Sequence, residues 1–415
     1  MKRRCCMAIV VAVFSLCSSM QAVTWYVHPD STLNTIQAGL DSCAFNDTVL
    51  VGPGTYYENI IWPNTSSVKL ISEYGPETTI VDGDSISRVI EISTGADMAT
   101  VIDGFTIRHG YAGFGGGILC DNSSSPTITN NTITENLAPN GGGGIAALNL
   151  SNPIITANVI SNNATNNSGG GIRCYNYPTI TGNIITGNSA LGTGGGIRCD
   201  GIEPVIRDNI ITYNTANQSG GGIGLIHSSC TPTLVSNYIA YNVSANGGGI
   251  ACLDGAFPTI DSCVILSNEG NGLHITGQAN ATINRCNICD NGGYGVNCMN
   301  SGVTVDAENN WWGDDGGPYH PITNPFGLGD TVSDYVDFEP WLVGPGIEQH
   351  PSVKPVDTHE NVTATIFRGP LQLPTGNECR VFDITGRVVE PGAIQPGVYF
   401  LEIDNRVVQK MIIIR

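Results

Sequence analysis

Two arginines stand at matching places of a repeated pattern and carry the side chains best suited to bind an anion. Arg173 and Arg198 each follow an Ile that ends a glycine string, and they are 25 residues apart. Two residues further on come Tyr175 and Asp200, respectively. If these segments are stacked strands, the two guanidinium groups project from one face about 4.8 Å apart and need an anion beside them. Asp200 can supply that anion alone. Alternatively, Arg173 and Arg198 can bind a carboxylate or sulfate of a polysaccharide while Tyr175 stacks on a sugar ring.

Acidic residues near the end of the repeats are the candidate metal ligands. Carboxylates are the oxygen ligands that Ca²⁺ prefers, so calcium is the cofactor that the sequence leaves open. The residues concerned are Asp314, Asp315, Asp330, Asp334 and Asp337. Their spacing matches no EF-hand loop, and turn formation explains them as well. No catalytic residue is predicted, because no cluster of acids and bases stands out.

The cysteines are interpreted as core packing. Five of the eleven that follow residue 22 take one repeat position, which in other coils holds Ala147, Leu225 or Ile275: Cys120, Cys174, Cys199, Cys252 and Cys298. Exchange with Ala, Leu and Ile predicts an apolar interior position, since a buried free Cys behaves as a small hydrophobe. Cys286 and Cys289 have the spacing of a CxxC motif, but the register places Cys286 inward and Cys289 outward.

A repeat of 25 to 27 residues positions all of these side chains. Gly-Gly-Gly-Ile recurs with its Ile at positions 118, 145, 172, 197, 223 and 250. Each period also holds a Pro-x-apolar step and an Asn-x-Ile-x-x-Asn step, hence three short β-type segments separated by turn residues. Stacking such periods predicts a three-sided β-coil of about ten turns. Ile fills its interior, Asn side chains form hydrogen-bonded ladders, and Gly supplies positive φ at the corners.

Composition excludes several classes of protein. The chain of 415 residues has a net charge of −19, only 13% charged residues, and 53 glycines. Gly and Asn have low helix propensity, so the composition argues against a mostly helical fold. The acidic charge and the small number of lysines argue against binding to nucleic acid or anionic membranes through a basic face.

The N-terminus resembles an export signal. Lys2, Arg3 and Arg4 precede an apolar run from Ala8 to Leu16, and cleavage is predicted after residue 22. Cys17 leaves a lipoprotein signal open as the alternative. No later apolar stretch reaches the roughly 20 residues that a transmembrane helix needs.

The repeat region resembles a right-handed parallel β-helix of the pectate-lyase-like superfamily. Its opening, Trp25-Tyr26-Val27 followed by 47–56, and its closing block, 309–313 with 338–341, are similar to those of extracellular members. The resemblance implies a capping helix near Ile36 and Leu40. Pectate lyases of this superfamily gather Asp residues for Ca²⁺ beside an Arg or Lys base, and such an inward-converging group is not visible here.

The last 50 or so residues resemble the C-terminal sorting domain of the type IX secretion system. The segments that carry this resemblance are 381–387, 396–400 and 410–415. It implies a small β-sandwich read by an outer-membrane translocon, and therefore the surface or medium of a diderm bacterium; an ordinary appended sandwich is the alternative. We therefore predict a signal peptide (1–22), a capped β-helix (23–342), a linker (343–360) and a sorting domain (361–415).

These observations predict an exported, monomeric, non-catalytic binding or structural protein. Its expected partners are the type IX secretion machinery and an extracellular polysaccharide, contacted through Arg173, Tyr175, Arg198 and Asp200. The alternative is a polysaccharide lyase acting on an acidic extracellular polysaccharide, which the superfamily resemblance suggests.

Overall fold

The computed structural model describes residues 21–346, residue 389 and four later strands, Thr365–Arg368, Cys379–Asp383, Gly397–Ile403 and Arg406–Ile414. The predicted signal peptide lies outside the described residues except for positions 21 and 22, as do most of the predicted linker and sorting domain. The four later strands form one sheet in which the last three pair antiparallel and the first pairs parallel with the last.

Residues 24–337 form an all-β, right-handed parallel β-helix of about 11 turns, close to the predicted ten. Its three walls are parallel sheets, and each coil adds one strand to every wall in turn. A short fourth sheet, absent from the prediction, widens three coils at Ala164–Thr165, Ser189–Ala190 and Thr215–Ala216.

Sheet A, the thirteen-stranded wall, contains the Pro-x-apolar segments. Its strands are Thr24–Val27, Thr48–Val51, Lys69–Ser72, Val101–Asp103, Thr127–Thr129, Ile154–Thr156, Thr179–Thr181, Val205–Arg207, Thr233–Val235, Thr259–Asp261, Thr282–Asn284, Val305–Asp306 and Val336–Asp337. Sheet B, the ten-stranded wall, contains the Asn-x-Ile segments. Its strands are Gly54–Tyr57, Thr79–Asp82, Thr106–Arg108, Thr132–Thr134, Val159–Ser161, Ile184–Thr186, Ile210–Thr212, Tyr238–Ala240, Val264–Leu266 and Asn287–Cys289.

Sheet C, the twelve-stranded wall, contains the segments that follow the glycine strings. Its strands are Ile60–Ile61, Ile90–Ile92, Ile118–Cys120, Ile145–Ala147, Ile172–Cys174, Ile197–Cys199, Ile223–Ile226, Ile250–Leu253, Leu273–Ile275, Tyr294–Cys298, Pro318–Tyr319 and Gly329–Val332. Equivalent positions pair in register, for example Ile172 with Ile197. The repeat Ile residues are fully buried in one continuous core, as predicted.

Two ladders of Asn side chains run along the core, as the sequence predicts. In the first, Asn183 donates through Nδ2 to Asn209 Oδ1 at 3.0 Å, and the backbone N–H of Asn183 donates to the same oxygen. Cys263 and Cys286 continue this ladder, and the Cys286 N–H donates to Asn310 Oδ1 at 2.8 Å. The second ladder joins seven coils in the same way: Asn136, Asn163, Asn188, Asn214, Asn242, Asn268 and Asn291.

The glycine strings have a second cause besides corner geometry. In each string the first glycine has positive φ, as expected, for example 72° at Gly194. The two that follow are required by close contact between coils. A Cβ on Gly196 would lie 2.7 Å from the Gly222 carbonyl oxygen and 3.0 Å from Nδ2 of Asn214, a member of the second ladder. The corner explanation was therefore incomplete, because the spacing of the coils also excludes side chains here.

Both ends of the β-helix are closed. The helix Ile36–Asp41 buries Ile36 and Leu40 over the first coil, and the Glu58 carboxylate accepts the N–H groups of Ile36 and Gln37. At the other end, Trp312 and Phe338 are buried in the core. Within the described part of the chain, no helix is both long and apolar enough to cross a membrane.

Candidate functional site

Strand register brings Arg173 and Arg198 side by side on the outer face of sheet C. The neighbouring strands place Ala146 next to Arg173 and Gly224 next to Arg198. These small residues leave room along the wall for two long arginine side chains. The predicted stacking of the two arginines is thus a direct result of the in-register repeat.

Asp200 binds both arginines at once. Its Oδ2 accepts from Arg173 Nε at 3.2 Å, and its Oδ1 accepts from Arg198 Nε at 2.9 Å and Arg198 Nη2 at 2.6 Å. The Asp200 side chain is only 1% exposed. His227 adds a further cationic group when protonated, with its Nε2 at 3.6 Å from Asp200 Oδ1. Arg173, Arg198 and Asp200 therefore form a buried ionic cluster, which differs from a solvated ion pair on the surface.

The remaining guanidinium donors reach across the outer wall. Arg173 donates through Nη1 to the Asn140 carbonyl and through Nη2 to Tyr175 Oη, both at 2.7 Å. Its guanidinium also lies over the rings of Phe114 and Tyr175, 5.6 and 5.5 Å from their centroids. Arg198 donates through Nη1 to Ser168 Oγ at 3.0 Å. All four residues predicted for the site are thus in contact within one cluster.

The cluster has an excess of positive charge and a hydroxyl donor. Two guanidinium groups against one carboxylate leave one net positive charge on an otherwise acidic chain, and the arginine side chains keep 12% and 14% exposure. Burial, together with the charge of Asp200, raises the pKa of the Tyr175 hydroxyl. The phenol therefore stays protonated at neutral pH. It accepts a hydrogen bond from Arg173 and can donate a hydrogen bond through its own O–H. This chemistry suits a carboxylate or sulfate.

Four contributors to the cluster were not predicted: Phe114, Asn140, Ser168 and His227. Asn140 and Ser168 directly precede the glycine strings of their coils. That fixed position, at the corner that leads into a strand of sheet C, was the sequence signal available for both residues. Phe114 and His227 come from turns whose course the repeat does not specify.

A second polar cluster, also not predicted, lies near the N-terminal end of sheet B. Asp82 is buried and accepts from Arg108 Nε at 2.8 Å and His109 Nδ1 at 3.0 Å. His109 Nε2 lies 3.0 Å from Glu135 Oε2. Burial by itself would raise the pKa of Asp82, but the hydrogen bonds from its own loop and from Arg108 and His109 hold it below the usual value. These contacts tie three successive coils together.

The aspartates considered for calcium take separate roles. Asp330 ends the second Asn ladder, where its Oδ2 accepts from Asn291 Nδ2 at 2.8 Å. Asp334 accepts from His320, and Asp314 accepts the N–H of Gly316 in a turn. Among the described residues, no three His, Cys, Asp or Glu side chains gather as a metal-binding group. Calcium binding stays a prediction.

Asp330→Asn tests the carboxylate at the ladder end. Burial raises the pKa of Asp330 to about 6, so the folded state binds more protons than the unfolded state between about pH 4 and pH 6. Ionisation of Asp330 therefore lowers stability as the pH rises through that window. The amide keeps an acceptor for Asn291 but cannot ionise. We expect the stability of Asp330→Asn relative to wild type to rise by about 2 kcal/mol from pH 4 to pH 7.

Urea unfolding at several pH values measures this difference. Asp315→Asn is the matched control, because the Asp315 side chain is exposed and holds no buried amide. A stability difference between Asp330→Asn and wild type that does not change with pH would contradict the role assigned to Asp330.

The chain was compared with known families and structures. The family model described as "Right handed beta helix region" matches residues 89–257 and 205–312. Among solved structures, the crystal structure of pectate lyase Pel9A is similar, with 12% identity and a TM-score of 0.47 over 82% of this chain and 85% of that chain. No curated protein sequence matches the chain significantly.

Proposed function

We propose that this chain, which belongs to the right-handed β-helix family, is a non-catalytic protein that binds an anionic extracellular glycan through its arginine cluster. The observation that carries the proposal is the shared carboxylate. Arg173 and Arg198 both bind the one carboxylate of Asp200. The cluster therefore keeps one net positive charge at the surface of an acidic protein.

The hydrogen bonds of the cluster support recognition of an anion. They hold the two guanidinium groups in fixed orientations before any ligand arrives, which lowers the entropic cost of binding. Arg173 covers one face of the Tyr175 ring, so a sugar would stack on the opposite face. A uronate or sulfated sugar combines the negative charge and the apolar ring face that this arrangement suits.

The environment of Asp200 supports a binding role over a catalytic one. Its two oxygens accept three N–H donors from the arginines, and its side chain is 1% exposed. A carboxylate so fully engaged is poorly placed to take a proton from a substrate. The same three hydrogen bonds fix the orientation of the two guanidinium groups.

Titration of the full mature chain with polygalacturonate, alginate and a sulfated glycan tests the proposal. We expect Arg173→Ala/Arg198→Ala to weaken binding at least tenfold, because the charge and the donors are lost together. Arg207→Ala/Arg285→Ala is the matched control, since these arginines are 56% and 65% exposed and lie outside the cluster. Equal binding by the wild type and the first double variant would dismiss the site.

A neutral glycan of similar length should not bind, and binding should weaken as salt is raised. The same samples followed at about 235 nm report unsaturated sugar ends, the product of a lyase. Their appearance would overturn the non-catalytic role in favour of the polysaccharide lyase alternative.

We also propose that the protein is delivered to the surface of a diderm bacterium, or into its medium, as a monomer by the type IX machinery. Residues 361–415 are the sorting domain in this proposal. Each of the three segments that carry the resemblance overlaps a described strand, which agrees with a β-rich domain.

Removing residues 347–415 tests delivery. The truncation begins after residue 346, because the Gly346 N–H still donates a hydrogen bond to Asn287 Oδ1 of the β-helix at 3.1 Å. The shortened chain should fold, since Trp312 and Phe338 close its core, but it should be retained inside the cell envelope. Surface exposure equal to that of the full chain in the native host would contradict the sorting assignment.

A further inference from the structure

We propose that Cys174 and Cys199 form a disulfide that cross-links the two coils carrying the arginine cluster. The two residues pair in register on adjacent strands of sheet C. Their sulfur atoms lie 3.2 Å apart, and both side chains are fully buried. Each cysteine directly follows one of the two arginines, so the cross-link would lie beneath the cluster.

The separation of the two strands is close to the one that the bond needs. A disulfide needs Cα atoms about 4.4 to 6.8 Å apart, and neighbouring strands are separated by about 4.8 Å. The sulfur atoms need to approach by only about 1 Å to reach the covalent distance of about 2.05 Å. Rotation about the two Cα–Cβ bonds provides most of this movement, and a small approach of the two strands brings the Cβ atoms within the roughly 4.5 Å that the bond allows.

Other cysteines of the same interior row have no such neighbour in register. Cys120 pairs with Ile92 and Ala147, and Cys252 pairs with Leu225 and Ile275. These two residues share the wall, the depth and the position of Cys174 and Cys199. They are therefore internal controls for the effect of adjacency.

Cys263 and Cys286 also come from adjacent coils, and here a backbone N–H of one coil is directed at the sulfur atom of the next. The Cys263 N–H donates to Cys286 Sγ at 3.4 Å, and each thiol lies within donating distance of backbone carbonyls. These two residues replace amides in the first Asn ladder. Cys174 Sγ also lies 3.6 Å from the Arg198 carbonyl, so the proposal is confined to Cys174 and Cys199 because their two sulfur atoms are in contact.

The bond must form while the chain folds. In the closed coil the hydrogen bond to Cys174 and burial raise the pKa of the Cys199 thiol far above its usual value, so little thiolate is present. During folding the two thiols are accessible to the disulfide of a thiol–disulfide oxidoreductase. They lose two protons and two electrons, one S–S bond forms, and the oxidant leaves as a dithiol. Oxidised glutathione can replace it in vitro and leaves as two molecules of reduced glutathione.

Refolding of the full mature chain tests the proposal independently of export and of glycan binding. The protein is refolded from urea with oxidised and reduced glutathione, quenched in acid, unfolded, alkylated and digested with trypsin. Cleavage after Arg173 and Arg198 produces peptides 174–198 and 199–207. We expect these two peptides to be recovered joined, while Cys120 and Cys252 are recovered alkylated.

A second measurement uses the melting midpoint. Oxidised wild type should melt several degrees higher than the same protein in reductant, because the cross-link restricts the unfolded chain. Cys174→Ala should melt at the same temperature with and without reductant. Complete alkylation of both cysteines in the refolded wild type would overturn the proposal, and so would pairing that involves Cys120 and Cys252 as often.

Discussion

Gly195→Ala is expected to destabilise the β-helix by more than about 3 kcal/mol. A Cβ at this position would lie 2.5 Å from the carbonyl oxygens of both Gly221 and Thr215. Both obstacles are backbone atoms, so no side chain can rotate away, and two coils would have to separate. Separation would also stretch the bond from the Gly195 N–H to the Gly220 carbonyl, now 3.1 Å. The midpoint of urea unfolding followed by circular dichroism measures the loss.

Two further glycines separate steric contact from backbone conformation. Gly182 has a φ of 63°, and a Cβ at this position would have no neighbouring atom closer than 4.0 Å. Gly182→Ala should therefore cost about 1 kcal/mol of stability through backbone strain alone. A Cβ on Gly302 would have no neighbouring atom within 4 Å, and the Gly302 backbone lies outside the left-handed region. Gly302→Ala should therefore change the stability little. An equal loss for Gly195→Ala and Gly182→Ala would mean that coil contact is not the cause.

Asp200→Ala is expected to destabilise the protein by about 3 to 5 kcal/mol. The substitution leaves two partly buried guanidinium groups on adjacent strands without the carboxylate that both of them bind. Asp200→Asn should cost less, because the amide oxygen still accepts one N–H, although its NH₂ group faces the arginines. Denaturant unfolding of the three proteins at pH 7 measures the order of stability.

Asp208→Ala is the matched control for Asp200. Asp208 also pairs with an arginine, Arg207, but at 3.6 Å and with both side chains at least 36% exposed. Exposed pairs contribute at most about 1 kcal/mol, so this variant should remain close to wild type. A similar loss of stability in the Asp200 and Asp208 variants would show that burial of the cluster is not what makes Asp200 important.

Much of the fold could be predicted because a stacked repeat converts sequence spacing directly into contact. Residues one period apart meet, so the interior rows, the Asn ladders and the arginine pair all follow from the spacing. The five interior cysteines were placed correctly for the same reason. Cys289 was correctly placed outward, yet it is 2% exposed within a second apolar cluster on sheet B, which a register argument does not reveal.

The candidate site was only partly predictable. Its four central residues follow from the repeat, whereas Phe114, Asn140, Ser168 and His227 reach it from corners of other coils. The cluster of Asp82 and His109 was missed because Asp82 lies before residue 101, where the repeat is weak, and His109 and Glu135 stand in turns with positive φ. Turn residues outside the glycine strings and the Asn ladders are not periodic in type, so their contacts depend on the path of each turn.

The coil, its interior and the strand register follow from the amino-acid sequence, since these depend on spacing alone. The folded chain was needed to show that one Asp200 binds both arginines and that Ala146 and Gly224 make room for them. It also showed that Asp330 ends a ladder 39 residues after Asn291. These outcomes depend on side-chain reach and on the distance between coils. Such distances, of a few ångströms, arise only when the coils have packed.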